Sequence, residues 1–180
     1  MTLFDKIVKA KDNLDGVVLK TPLQFSINLS EKFQASIYLK REDLQQVRSY
    51  KIRGAYNKIS HLNAQQKTKG IVCASAGNHA QGVAYSCQVL QIQGKIYMPK
   101  TTPKQKIKQV QLFGKSFVEI VLIGDTFDDA FHAAKQFSID NQLEFIHPFD
   151  DLEVIAGQGT VGLEILSEQI PTIDYVLLPV

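Results

Sequence analysis

Short apolar runs alternate with amphipathic segments along this chain of 180 residues, most regularly from Lys69 onward. Such alternation predicts an α/β fold with a mainly parallel sheet, because strands of this kind need helical connections that cover them. The predicted strands are residues 70–74, 95–98, 117–122, 144–147 and 174–180. The last of these is an apolar run typical of a strand covered on both faces.

Apolar spacing and capping residues predict the helices between those strands. Thr102 followed by Pro103 is expected to start a helix that ends near Gly114. After Asp125, four side chains at helical spacing predict one buried stripe, formed by Phe127, Ala130, Phe131 and Ala134.

The first 69 residues have a less regular pattern. Residues 1–13 predict an amphipathic helix, residues 17–25 an extended segment interrupted by Pro22, and residues 36–40 a strand. Ser49 is expected to cap a helix that contains Lys51. The buried stripe of that helix is predicted to be Ile52, Ala55, Tyr56 and Ile59.

Composition limits the possible function classes. A net charge of +2 gives no broad electrostatic surface for nucleic acid or an anionic membrane. Lysines concentrate between residues 95 and 115, which is typical of a solvated helix face, with phosphate binding as the alternative. Cys73 and Cys87 are expected to be buried free thiols, which indicate a reducing compartment. Because the sequence also shows no signal peptide and no membrane span, a cytoplasmic protein is expected. The histidines have no metal-ligand spacing, so no metal is expected.

Lys51 stands where a lysine is electrostatically unfavourable. It is predicted in the first turn of a helix, between Arg48 and Arg53. The helix N-terminus and both guanidinium groups disfavour an ammonium ion, so the pKa of Lys51 is expected to be low. A neutral amine is a nucleophile that forms Schiff bases with carbonyl compounds, including pyridoxal phosphate. The alternative is a surface lysine that extends into water.

A second candidate is the turn of small residues that follows the strand at residues 70–74. The sequence of residues 75–82 is SAGNHAQG. Backbone N–H groups of such a strand-to-helix turn point into one concavity, where a carboxylate or phosphate can bind. The alternative is a tight turn with Asn78 as the helix cap. His79, taken alone, is more typical of a hydrogen-bonded structural residue than of a catalyst.

Three glycines, Gly157, Gly159 and Gly162, match the dinucleotide-binding pattern G-x-G-x-x-G. The preceding segment is at best a short strand, and no acidic residue closes the next predicted strand. Close packing of a helix that starts near Asp151 explains these glycines better. A Rossmann-type nucleotide-binding oxidoreductase remains the alternative from a different functional class.

Four segments together resemble the serine/threonine dehydratases, which are fold-type II pyridoxal-phosphate enzymes. They are residues 40–45 (KREDLQ), 49–55 (SYKIRGA), 75–82 (SAGNHAQG) and 156–160 (AGQGT). The resemblance covers the chain from about Lys20 to its end, with the motifs in the family's order. It implies an α/β fold like that of the tryptophan synthase β subunit, and pyridoxal 5'-phosphate as the cofactor.

The resemblance also implies roles for individual residues. Lys51 corresponds to the catalytic lysine that forms the Schiff base with the cofactor and then removes the Cα proton. Asn78 corresponds to the asparagine that hydrogen-bonds the 3-hydroxyl of the pyridine ring, and Tyr50 to an aromatic residue that packs near the cofactor. The turn that binds the substrate carboxylate corresponds to Ser75, Ala76, Gly77, Asn78 and His79.

The activity implied is α,β-elimination of L-threonine, and also of L-serine, to a 2-oxo acid and ammonia, as at the start of isoleucine biosynthesis. The partner is a small amino-acid substrate, and the full-length protein is expected to be a dimer or tetramer. Serine racemases of this group carry a second serine where this chain has Ala76, so little racemisation is expected. Serine dehydratase, serine racemase and cysteine-synthase-like β-replacement remain alternatives, as does a non-catalytic fragment.

The resemblance also implies a division of the chain into domains. Residues 1–69 are expected to be the first part of a large domain, residues 70–147 a small mobile domain, and residues 148–180 the start of the second part of the large domain. In the family a glycine-rich loop that holds the cofactor phosphate follows a strand like residues 174–180. The chain is therefore expected to be an N-terminal fragment that holds the cofactor weakly and is inactive by itself.

Overall fold

The computed structural model describes residues 1–170 and 172–178. The helices are α1 Leu3–Asn13, α2 Ile27–Phe33, α3 Lys51–Ser60, α4 Ala64–Lys69, α5 Asn78–Leu90, α6 Lys104–Gly114, α7 Phe127–Asp140 and α8 Leu152–Leu166. The strands are β1 Leu23–Phe25, β2 Tyr38–Lys40, β3 Ile71–Ala74, β4 Gly94–Met98, β5 Val118–Leu122 and β6 Glu144–Phe145. Two 3-10 turns lie at Glu42–Leu44 and Lys115–Phe117.

Four strands form a parallel sheet in the order β5-β4-β3-β6. The predicted α/β fold with a parallel sheet is thus confirmed, and each of these strands lies within one residue of its predicted start. A separate antiparallel pair, β1 and β2, precedes the sheet in the chain. β6 is shorter than predicted, because the N–H of Ile146 makes the last backbone hydrogen bond to β3 and the chain then leaves the sheet.

The fifth predicted strand does not form over residues 174–178. These residues have no strand assignment, and Tyr175 and Leu177 are 89% and 93% exposed. A strand needs a neighbour that accepts its backbone hydrogen bonds, and the described residues provide none here. Pro179 and Val180, the remainder of this prediction, lie outside the described residues.

Helices cover both faces of the parallel sheet. On one face, β3 and β4 pack against α5 and α6, with Val83, Ile96 and Val110 almost fully buried. On the other face, Ala130 and Ala134 of α7 pack beneath Phe145. Two of the four residues predicted as the stripe of α7 are therefore core residues, whereas Phe127 at the helix start is 45% exposed.

The starts of α6 and α7 are capped differently. Thr126 accepts from the backbone of Asp129 and completes a capping box at α7. Thr102 is not the cap of α6, because the helix starts one residue later than expected and Pro103 occupies the cap position. The Thr102 hydroxyl is buried and makes no hydrogen bond with the described residues.

The parallel sheet spans residues 71–145, within the predicted unit of residues 70–147. The division into domains remains a prediction. No helix in the described ranges is long and apolar enough to cross a membrane.

Candidate active site

Lys51 is the first residue of α3, as predicted, but Ser49 does not cap the helix. Tyr50 occupies the cap position with helical backbone angles, φ −66° and ψ −11°. Because the chain is already helical at Tyr50, the Ser49 hydroxyl is not placed to accept from the first turn, and it is buried without a partner among the described residues. The first turn of α3 therefore has no capping side chain.

α5 and α8 pack closely against the backbone of α3. A Cβ at Gly82 of α5 would lie 3.0 Å from the backbone of Lys51 and Ile52. On the other side, a Cβ at Gly157 of α8 would lie only 2.4 Å from the carbonyl oxygen of Arg53. Glycine at both positions lets α5 and α8 approach α3 closely, which fixes the backbone that carries Lys51.

Among the described residues, the Lys51 amine has one hydrogen-bond acceptor, and that acceptor is neutral. Nζ donates to the carbonyl oxygen of Pro148 at 2.9 Å and lies 5.4 Å from the centroid of the Tyr50 ring. The side chain is half-buried, and burial lowers the pKa of the amine from its usual value. A lower pKa increases the fraction of free amine near neutral pH, as a nucleophilic lysine requires.

One predicted cause of this low pKa, repulsion by the neighbouring guanidinium groups, is not found. Arg53 was expected to repel the charge of Lys51, but its guanidinium is bound between Glu42 and Glu164. Arg48 is exposed to water, which screens its charge. The pKa of Lys51 falls because the amine is desolvated, with no carboxylate to compensate.

The Arg53 network is a feature that the sequence analysis missed. Arg53 is 1% exposed and donates to Glu42 at 2.8 Å and to Glu164 at 2.7 Å. Lys40 also donates to Glu164, at 2.5 Å. Burial opposes the charge of Arg53, but its hydrogen bonds to the two carboxylates raise its pKa. Lys40 and Glu42 in the KREDLQ segment were the available signal, since buried charges need partners.

The turn of small residues lies between β3 and α5. Ser75 is buried and its hydroxyl accepts from the backbone of Gly77 at 3.1 Å. Gly77 is the N-cap of α5, and Asn78 is the first helical residue with an exposed side chain. The alternative in which Asn78 caps the helix is therefore wrong. A Cβ at Gly77 would meet nothing within 4 Å, so the space beside this turn is open.

The N-terminus of α5 has free hydrogen-bond donors. No side chain within residues 1–170 and 172–178 caps this helix. The backbone N–H groups of the first turn of an uncapped helix carry partial positive charge and bind anions. α5 is 13 residues long, so its dipole is fully developed at the turn of Ser75, Ala76 and Gly77.

His79 lies behind the turn rather than in it. It is 3% exposed, and its Nε2 lies 3.0 Å from the carbonyl oxygen of Ile146. Burial lowers the pKa of His79 to about 4, and the nearby positive charge of Lys51 contributes in the same direction. The side chain is thus neutral at neutral pH, and it is a hydrogen-bonded structural residue, as predicted for His79 taken alone.

The predicted site residues meet at the starts of two adjacent helices. Tyr50 and Lys51 lie at the start of α3, and residues 75–79 lead into α5. The segment that follows β6 joins the two, since Pro148 binds Lys51 and Ile146 binds His79. Sequence reasoning did not assign this segment a role, because backbone carbonyl groups leave no signal in residue type.

The three glycines of the G-x-G-x-x-G pattern lie inside α8, which Asp151 caps. Gly157 faces the backbone of Arg53, and a Cβ at Gly159 would lie 2.7 Å from Ile7. A dinucleotide fingerprint needs these glycines in the turn between a strand and a helix. Helix packing, the preferred interpretation, is therefore confirmed for these two, and the Rossmann-type alternative is not supported.

Comparison with known proteins agrees with this geometry. The family described as "Pyridoxal-phosphate dependent enzyme" matches residues 14–180. The chain is 56% identical over 171 residues to a biosynthetic L-threonine dehydratase of Halalkalibacterium halodurans, covering 95% of this chain and 41% of that protein. It is 60% identical over 163 residues to the corresponding enzyme of Lactococcus lactis, covering 91% of this chain and 39% of that one.

Solved structures show the same fold. The processed form of threonine deaminase isoform 2 from Solanum lycopersicum matches with a TM-score of 0.84 and 45% identity, over 91% of this chain and 47% of that one. Maize serine racemase matches with a TM-score of 0.86 and 32% identity, over 94% of this chain and 50% of that one. The predicted fold class, that of fold-type II pyridoxal-phosphate enzymes, is confirmed.

All four of these proteins are named as enzymes that act on an amino acid. This chain spans about two fifths of the length of the curated relatives that it matches. The family match nevertheless includes Lys51, the small-residue turn and the packed glycines of α8. The chain belongs to the family of pyridoxal-phosphate dependent enzymes.

Proposed function

We propose that this chain supplies the catalytic lysine and the carboxylate-binding turn of a threonine dehydratase. The reaction is α,β-elimination of L-threonine, and also of L-serine. One observation carries the proposal: the half-buried Lys51 amine is bound to a neutral carbonyl and not to a carboxylate, and the backbone of Lys51 packs against Gly82 of the uncapped helix α5. The identity to biosynthetic L-threonine dehydratases supports the choice of substrate.

The described residues fit pyridoxal phosphate. An amine with a lowered pKa is available at Lys51, and an aromatic ring, that of Tyr50, lies beside it. The exposed Asn78 side chain is the candidate donor to the 3-hydroxyl of the pyridine ring. When bound, the cofactor supplies an electron sink that stabilises negative charge at Cα of the substrate.

The turn at Ser75, Ala76 and Gly77, with the amides of Asn78 and His79, is proposed to bind the substrate carboxylate. The uncapped amides of α5 donate to its oxygens, and the dipole of the helix adds to the attraction. The open space at Gly77 allows the carboxylate to reach the backbone. This contact orients the substrate so that its Cα–H bond faces Lys51.

Lys51 is proposed to act as the base. Its free amine takes the Cα proton at Nζ, and the Cβ–O bond then breaks as the hydroxyl leaves as water with the proton that Nζ returns, so that Lys51 is again a free amine. The released enamine tautomerises and hydrolyses, so that threonine gives 2-oxobutanoate and ammonia, and serine gives pyruvate and ammonia. A low pKa suits this role, because the amine must be unprotonated before it can accept the proton.

Further proposals follow from the relatives rather than from the site. They are a homo-oligomeric full-length enzyme, a location in the cytoplasm, an isoleucine-biosynthetic role, and a small domain at residues 70–147 that moves over the substrate. Bacterial biosynthetic enzymes among the relatives support the cytoplasmic location and the biosynthetic role. The four-stranded sheet between residues 71 and 145 supports a small domain at residues 70–147.

Borohydride reduction tests the lysine directly. The chain is mixed with pyridoxal phosphate at pH 7.5, reduced, digested and mapped by mass spectrometry. We expect a pyridoxyl group on Lys51 ahead of every other lysine, and its loss from that peptide in Lys51→Ala. A label spread evenly over surface lysines, with Lys51 unmodified, would refute the proposal.

Turnover is tested in a hybrid protein. Residues 1–170 of this chain are joined to the part of the Halalkalibacterium halodurans enzyme that follows the corresponding position. We expect 2-oxobutanoate from L-threonine in the hybrid, and none above background in its Lys51→Ala variant. A folded hybrid that binds the cofactor at Lys51 but leaves threonine unchanged would contradict the proposed substrate.

A further inference from the structure

His79 has a polar side chain in a place where an apolar one would fill the same space. It is the second residue of α5 and is 3% exposed. A carbonyl oxygen can only accept a hydrogen bond, so its contact with Ile146 at 3.0 Å requires the proton of the neutral ring to be on Nε2. Nδ1 is then unprotonated, and it has no partner among the described side chains and backbone. Burying this ring leaves Nδ1 desolvated without a partner, a cost that the single hydrogen bond of Nε2 offsets only in part.

Residues 146–148 form a short segment that is hydrogen-bonded at both ends, with Lys51 as the partner at its second end. The N–H of Ile146 donates to the carbonyl of Val72 in β3 at 2.8 Å, while its own carbonyl accepts from His79. Two residues later, the carbonyl of Pro148 accepts from Nζ of Lys51 at 2.9 Å. The segment is thus attached to β3 and α5 at one end and to the lysine at the other.

The segment between these attachments is also held internally. Nδ1 of His147 accepts from the N–H of Asp150 at 2.8 Å, which closes a turn around Pro148. The His147 ring packs edge-on against Phe149, with the ring centroids 4.7 Å apart. A displacement of Ile146 would therefore move the Pro148 carbonyl with it, rather than being absorbed between the two residues.

We propose that the His79 side chain is a positioning residue, which by donating to Ile146 holds the Pro148 carbonyl against the Lys51 amine and keeps water away from that amine. The hydrogen bond also fixes the start of α5 relative to the lysine. This inference rests on the proposed role of Lys51 and of the turn at residues 75–79. It assigns the side chain of His79 a task separate from that of its backbone amide.

Two substitutions separate the hydrogen bond from the rest of the ring. His79→Gln keeps an N–H at the position of Nε2, whereas His79→Asn places its amide nearer the position of Nδ1. The probe is the rate at which pyridoxal phosphate and borohydride label Lys51 at pH 7.5. If loss of the bond lets water reach the amine and raises its pKa by one unit, the free-amine fraction falls about tenfold. We expect this fall in His79→Asn, and a rate within about twofold of the parent in His79→Gln.

Equal rates in the parent, His79→Gln and His79→Asn would overturn the proposal, and so would equal slowing in both variants. If Lys51 is not labelled in the parent chain, the proposed function fails instead, so the two failures are distinguishable. Far-UV circular dichroism identifies a variant that does not fold.

The ring itself gives a test that needs no substitution and no cofactor. In ¹⁵N NMR of the histidine-labelled chain, we expect the Nε2–H tautomer of His79 at pH 7.5, with Nδ1 unprotonated. The Nδ1–H tautomer would overturn the proposal, because Nε2 could then not donate to Ile146.

Discussion

Two regions of α3 have opposite effects on the pKa of a buried or half-buried cation. In its first turn, Lys51 is half-buried and bound to a neutral carbonyl, and its pKa is lowered. On the face toward α8, burial of Arg53 is opposed by hydrogen bonds to Glu42 and Glu164, which raise its pKa. Burial alone therefore does not make a cation reactive, whereas burial without a carboxylate partner does.

Lys58 extends the second region along the same helix. Its amine lies 2.8 Å from Glu144 and 2.9 Å from Asp151. Burial works against its charge, but the two carboxylates outweigh burial and raise its pKa. These pairs connect α3 to β6 and to the cap of α8, so the cation there stabilises the fold and is not available as a nucleophile.

The largest expected effect comes from breaking the Arg53 network. Arg53→Met leaves the buried Glu42 without its cation and leaves Glu164 with Lys40 alone, which destabilises the fold by about 3–5 kcal/mol. Arg41→Met is the control, because its pair with Asp43 is exposed and its loss should leave the unfolding midpoint unchanged. Urea unfolding measures both. Equal midpoints in the two variants would show that the Arg53 network does not support the fold.

Acid should act on the Lys51 region through His79. The pKa of His79 in the folded chain is about 4, below its ordinary 6.5, so between these values the unfolded chain binds a proton that the folded chain does not. Stability is therefore fully present above pH 6.5 and falls as the pH drops, by about 3 kcal/mol at pH 4. Denaturant unfolding from pH 7 to pH 4.5 measures the slope.

The control for this slope is His79→Gln, which cannot titrate. Its stability should change less between pH 6.5 and 4.5, while the carboxylates paired with Arg53 contribute equally to both proteins. The contribution of Glu164 appears at lower pH, because the pKa of this residue is held below its usual value despite burial, by its bonds to Arg53 and Lys40. Parallel pH profiles for the two proteins would contradict a neutral, buried His79.

Packing between α3 and α8 should show a smaller effect. Gly157→Ala places a Cβ 2.4 Å from the Arg53 carbonyl, so the helices must separate, which destabilises the fold by about 1–3 kcal/mol. Gly162→Ala is the control on the same helix. A Cβ there meets nothing within 4 Å, and alanine should stabilise α8 by about 0.5–1 kcal/mol. Thermal unfolding that gives both variants the same sign would refute this packing argument.

The smallest change to the structure tests reaction specificity. Ala76→Ser adds one hydroxyl in the turn at the start of α5, where Ala76 is partly buried. In the hybrid enzyme we expect D-serine formation from L-serine to increase while pyruvate formation continues, because the hydroxyl supplies a proton donor on the second face of the substrate. Chiral chromatography measures the product. Substantial D-serine from the unsubstituted hybrid would show that Ala76 does not limit racemisation.

The sequence predicted the sheet because its strands are apolar and buried, and it predicted the position of Lys51 because the start of α3 has a helical stripe. Ile52, Ala55 and Ile59 of that stripe are fully buried. The low pKa of Lys51 was predicted correctly, but one of its predicted causes, repulsion by the neighbouring guanidinium groups, was wrong. Arg53 is close in sequence, but tertiary contacts with Glu42 and Glu164 determine where its charge acts.

Other features of the site could not be read from residue types. The acceptor of Lys51 is a main-chain carbonyl, and the partner of His79 is another. Ile146 was predicted in a strand and Pro148 in no element, and neither side chain indicates that its carbonyl would accept one of these bonds. Residues 174–178 show the opposite case, since an apolar run has strand character only when a neighbouring strand pairs with it.

One titration compares the two regions of α3 most directly. The chain is labelled with ¹³C at Cε of lysine, the signals of Lys51 and Lys58 are assigned with Lys51→Arg and Lys58→Arg, and both are followed from pH 6 to pH 12. We expect Lys51 to titrate below the ordinary lysine value of 10.5 and Lys58 above it. If Lys51 titrates at or above Lys58, burial without a carboxylate is not what makes this lysine reactive.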